Sequence, residues 1–148
     1  MKDIDDLKKA FEGFDANKYC AQGTCESEDE LKDYPSFTEA LYAKIMAPSV
    51  SGVYISRWDI KDIAATAGDS MAIHPRKRMF ELLMKYASDR DNMQRVLGAL
   101  RAHIEDKIEI YEEFIRRAPT SSSAIFESHI ARAKKTIAFL PKILEEYF

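Results

Sequence analysis

The strongest constraint on this chain is a run from Ser88 to Ala118 in which no proline occurs before Pro119. Within it Met93, Leu97, Leu100, Ile104, Ile108, Tyr111 and Ile115 recur every three or four residues. That period places one apolar stripe on a single helix of roughly 30 residues, or about 45 Å. A second stripe follows: Phe126, Ile130, Ala133, Ile137, Leu140, Leu144 and Tyr147 alternate four and three, which is a heptad pattern. Only Pro119-Thr120-Ser121-Ser122-Ser123 separates the two, so the expectation is a long antiparallel hairpin over 88–148 joined by a short turn. The acid-before-base pairs Asp91/Arg95, Glu112/Arg116 and Glu113/Arg117, each four apart, add a few tenths of a kcal/mol apiece. Pro141 is expected to kink the last helix, because it removes a backbone donor and crowds the carbonyl of Ile137.

The remaining segments are helical as well. Ile4, Leu7, Phe11 and Phe14 give a first amphipathic helix over about Asp3 to Phe14. An acidic stretch follows from Asp15 to Asp33, expected as a mobile loop, and carries Cys20, Cys25 and the run Glu26-Ser27-Glu28-Asp29-Glu30. Ser36 and Glu39 match a capping box that opens a helix with Phe37, Leu41 and Ile45 on one face, ending before Pro48. Residues Ser49 to Ile55 read as a loop. Ser56 then caps a helix bearing Ile60, Ile63, Ala64 and Ala67, closed by Gly68. A further helix starts at Pro75, and Met79, Phe80, Leu82, Leu83, Met84 and Tyr86 nearly encircle it.

Five glycines and five prolines in 148 residues are too few turn formers for a many-stranded sheet, and 46% apolar residues is too many for a disordered chain. The fold class is therefore all-α: one domain over 1–148, an elongated bundle of five or six helices built on the C-terminal hairpin. A compact globule of this length is about 38 Å across, so a 45 Å helix overhangs it. Either the bundle is simply elongated or a second copy covers the overhang, and a homodimer is expected.

Several function classes are weakened. The net charge of −3 does not suit a protein that coats nucleic acid. No run approaches the length of a membrane span, and the opening Met1-Lys2-Asp3-Ile4-Asp5-Asp6 lacks an apolar signal core, so a cytoplasmic location is expected. Reduced thiols at Cys20 and Cys25 fit that compartment. No Ser–His–acid, glycine-rich phosphate loop or nucleophile-elbow pattern occurs, and no motif calls for a cofactor.

The candidate sites are few. Asp15, Asn17 and Glu26 fall at positions one, three and twelve of a calcium-binding loop, but Tyr19 and Cys20 occupy the fifth and sixth, where a ligand and a turn-forming glycine belong. Cys20 and Cys25 offer two metal ligands where a structural zinc needs four. His103 stands in the run His103, Glu105, Asp106, Glu109, Glu112, Glu113, yet no Glu-x-x-His pair of a carboxylate-bridged di-metal bundle occurs anywhere. A boundary histidine beside Leu100 and Ile104 is the plainer reading. Gly68 between two helices outlines a helix-turn-helix, but His74-Pro75 interrupts it.

Charge is polarised along the chain. Residues 1–40 carry five basic and eleven acidic side chains, net −6, whereas residues 74–101 carry seven basic and three acidic, net +4. Arg76, Lys77 and Arg78 thus form either a docking patch for an acidic partner or one half of an internal match. Trp58 flanks its helix's apolar stripe, a position suited to a core lid or, less simply, a partner hot spot. Tyr147-Phe148 either folds back on the bundle or packs on another subunit. By elimination these features point to a non-enzymatic interaction protein: an adaptor, assembly factor or chaperone-like subunit. A metal-binding or enzymatic bundle using Cys20, Cys25 or His103 is the alternative, and nucleic-acid binding through Arg76, Lys77 and Arg78 the third.

Overall fold

The computed structural model describes residues 33–148, and among these all regular structure is helical. The first expected helix, the acidic stretch with its calcium-loop outline, and Cys20 and Cys25 lie outside the described residues. Tyr34–Phe148 form one compact unit. Its elements are α1 (Thr38–Ile45), α2 (Pro48–Ser51), α3 (Arg57–Ala67), α4 (Arg76–Tyr86), α5 (Arg90–Arg117) and α6 (Thr120–Tyr147).

The hairpin is present as α5 and α6, each of 28 residues and about 42 Å long. The turn is tighter than the sequence suggests. Ala118 is extended, as a residue before proline must be, and Pro119 caps a helix that begins at Thr120, so the serines lie inside the first turn of α6. The helix runs without a break through Pro141 to Tyr147. The buried stripe of α6 is Ile130, Ala133, Thr136, Leu140 and Ile143, while Phe126, Ile137, Leu144 and Tyr147 of the heptad stripe are only half-buried. The stripe is rotated because α2 packs on α6 as well as α5 does.

That contact explains a segment the sequence misread. Residues expected as loop begin with the single turn α2, with Pro48 at its first position and Gly52 left-handed at its end (φ +84°). A Cβ on Gly52 would collide with the carbonyl oxygen of His129 and stand 2.7 Å from the amide nitrogen of Ala133. Only glycine allows α2 to approach α6 this closely. The buried hydroxyl of Thr136 then donates to the carbonyl of Ser51 at 3.0 Å and locks the contact.

The shorter helices form a layer on the hairpin, with α3 against α5, α2 against α6, and α4 touching α1, α3 and α5. Ile60, Ile63, Ala64 and Ala67 of α3 are all buried, as their spacing requires. Ser56 forms the full capping box with Asp59, and Gly68 is left-handed (φ +104°). Met79, Phe80, Leu83 and Met84 seat α4 in the core, and each such buried side chain contributes roughly 1.5–3 kcal/mol.

Two expected caps are replaced. The amide of Thr38 is taken by the carbonyl of Pro35 in a turn at 3.1 Å, so α1 starts at Thr38 with no side-chain cap. Glu39 instead accepts from the Tyr34 hydroxyl. At α5 the cap is Asp89 rather than Ser88, with its carboxylate accepting from the Asn92 amide at 2.8 Å. The C-terminal end folds back: Phe37 packs on Tyr147 and Phe148 with ring centroids 5.0 and 5.6 Å apart. No helix among the described residues is long and apolar enough to cross a membrane.

Candidate functional site

The basic run is built into the fold to unequal degrees. Arg76, at the start of α4, donates from Nε to the carbonyl of Ile55 at 2.6 Å and from Nη2 to the carbonyl of Met46 at 2.7 Å. Its guanidinium also lies 4.6 Å from the centre of the Tyr54 ring. This side chain clasps the two ends of the α2 segment and is not an arm held out to solvent. Lys77 reaches Glu39 at 3.6 Å, and Arg78 pairs with Glu81 at 3.5 Å. Lys77 thus meets an acid from residues 1–40, Arg78 meets one within its own helix, and Arg76 binds neutral carbonyls.

His103 sits at the edge of the core on α5, facing the first turn of α3. Its Nε2 is 3.5 Å from Asp59 Oδ1, near enough for charge attraction but not aligned as a hydrogen bond, so that buried nitrogen has no hydrogen-bond partner. Lys107, one turn further along α5, is 3.8 Å from the other carboxylate oxygen. Burial pushes the Asp59 carboxyl up, but two hydrogen bonds from Ser56, then His103 and Lys107, outweigh it and hold the group below the usual carboxylate range. One histidine and one carboxylate do not make a metal centre, and no group of three potential ligands occurs among the described residues.

Trp58 departs from the core-lid expectation. It stands two positions before Ile60, on the far side of α3 from the buried stripe, and is 61% exposed. Lys61 lies 5.9 Å over its ring.

Among the described residues, three of the exposed large apolar side chains, Ile110, Phe114 and Ile125, fall toward the hairpin tip. Asp59 marks where α3 ends on α5, against His103 and Lys107. Ile110 and Phe114, three and seven residues beyond Lys107, continue the same face, and both are 46% exposed. On α6, α2 covers His129 and Ala133 through Gly52. Ile125, four residues before His129 on that face, is 62% exposed. Complete burial stops at Ile108 on α5 and at Ile130 on α6. Beyond these, among the described residues, the two helices pack chiefly on each other.

The tip is nevertheless ordered by aromatic packing. Phe126 lies 5.4 Å from Phe114 and 6.1 Å from Tyr111, and Tyr111 stacks on the His129 ring at 5.5 Å. Arg132 Nη2 donates to His129 Nδ1 at 3.0 Å, which fixes that ring nitrogen as an acceptor, since a guanidinium has no lone pair to offer. Phe114, Arg117, Ala118 and Phe126 line a shallow recess of about 270 Å³. Arg116 and Arg117 both grip Glu113, the latter at 2.7 Å, and the Arg116 hydrogen bond is the main reason that carboxyl lies below its ordinary range. The pairing of Glu112 with Arg116 expected from spacing gives way to this fork.

The signal for the tip was present in the sequence as Ile110, Phe114 and Ile125, apolar residues that the stripes leave out. What the sequence does not show is where α2 and α3 stop. No protein-family model, curated protein or solved structure matches the chain.

Proposed function

We propose that this chain is a non-enzymatic protein–protein interaction protein, an adaptor, assembly factor or chaperone-like subunit, and that it meets its partner through the tip of the α5–α6 hairpin. The observation that carries this reading is the bare continuation of two helix faces beyond their covering layer, through Ile110, Phe114 and Ile125. Clustered apolar exposure rimmed by charge marks association surfaces, whereas apolar residues scattered singly do not. An aromatic beside a recess, with an arginine at its edge, also has the composition of a binding hot spot. Trp58, fully outside the core, offers a second contact of the same kind.

The test is site-specific photo-crosslinking in the producing cells, with benzoylphenylalanine at position 114 and, as a control, at the exposed position 135 of α6. The expected result is a discrete protein adduct from position 114, absent from 135 and suppressed by Ile110→Asp. Equal labelling at the two positions would overturn the reading.

A further inference from the structure

Resting on that reading, we infer that the occupant of the hairpin tip is a second copy of this chain, docked antiparallel about a two-fold axis between Ile110 and Phe114. The exposed face of α5 reads Asp106, Ile110, Phe114, Arg117, at intervals of four, four and three that keep all of them within one broad strip of the helix. An acid stands at one end, a base at the other, and two apolar residues between. A strip of this order is its own complement when reversed. An antiparallel copy brings the partner's Arg117 onto Asp106, and Arg117 onto the partner's Asp106, while Ile110 and Phe114 exchange places at the centre.

The surroundings suit this arrangement. The recess lined by Phe114, Arg117, Ala118 and Phe126 lies where the partner's Ile110 arrives, and its lining is mostly apolar. Arg117 already holds Glu113 from within its own helix, but its side chain is 80% exposed and open on its outer side. A partner of one charge sign would match one end of the strip and be repelled at the other, so neither a wholly acidic surface nor nucleic acid fits as well. Two-fold association uses the same patch on both copies and closes on itself. It also supplies a second layer over the tip, where the described residues provide the hairpin alone.

The charges give a direct test by sedimentation velocity over a range of concentrations. Asp106→Arg alone, or Arg117→Asp alone, places like charges at both ends of the two-fold contact and is expected to weaken association roughly tenfold or more. The double variant D106R/R117D restores opposite charges in reversed order, and association returns close to the wild-type level. Circular dichroism melts check that each variant is folded, as both positions are exposed. Recovery in the double variant supports the two-fold docking. Its absence, with folded singles and double alike, overturns it, as does a wild-type chain that stays monomeric throughout. A monomer whose position 114 still crosslinks to a protein of different mass sinks the second-copy inference alone. A monomer with no specific adduct sinks the interaction reading too.

Discussion

Arg76 heads a run of three cations, the kind of cluster that invites a reading as a docking patch, yet its guanidinium spends its donors on the carbonyls of Ile55 and Met46. Hydrogen bonds from a charged donor are worth about 1.5–3 kcal/mol each. Arg76→Lys keeps the charge but loses the planar fork, and is expected to lower unfolding stability in urea by about 2 kcal/mol. Trp58 gives the opposite outcome. With most of its surface in water, Trp58→Ala should move stability by no more than about 0.5 kcal/mol. Asp59 carries a pH dependence. Its folded-state pKa is lowered, so its contribution is present above the unfolded carboxylate value and is lost as pH falls through the folded one. Stability measured from pH 7 down to pH 3 should therefore fall more steeply in the wild type than in Asp59→Asn, and equal slopes would contradict that role. None of these roles follows from residue type: each depends on which carbonyl or charge the fold brings within reach.

At the scale of elements, what was legible from the sequence was local. The Ser56 cap and the left-handed Gly68 depend on residues within a turn of themselves, and both form as expected, with Asp59 completing a capping box not expected from the sequence. The hairpin was legible because a stripe of fixed period needs no knowledge of its partner. Ser36 fails as a cap because the Pro35 carbonyl takes the Thr38 amide, and α2 resembles a loop in sequence because its reason for folding lies some 80 residues away on α6. Gly52 is the point where that distant contact is made. Gly52→Ala combines a left-handed backbone with a clash against the α6 main chain, and is expected to cost about 2–4 kcal/mol. A chemical denaturation midpoint unchanged by this substitution would mean that α2 does not dock on α6 as described. For comparison, Ile104→Ala in the centre of α5, fully buried, should cost a similar 2–5 kcal/mol through cavity formation.

The whole unit is a two-layer arrangement in which the lower layer is longer than the upper. The short helices cover α5 and α6 only as far as Lys107 and His129, and the hairpin continues about two and a half turns beyond. The overhang was legible from helix length, but its composition was not, because which face lies bare depends on where α3 and α2 end. Ile110 and Phe114, between Asp106 and Arg117 on α5, and Ile125 on α6 occupy that face, and this placement is the basis of the interaction reading. Hydrogen exchange at single-residue resolution, run on the wild-type chain at two widely separated concentrations, tests it most directly. At low concentration, amides of residues 109–118 and 120–127 should exchange faster than those of 93–104, since only one neighbouring helix protects them. Raising the concentration should slow exchange at the tip and leave 93–104 unchanged. Tip exchange that is the same at both concentrations would contradict the claim that a second copy closes over it.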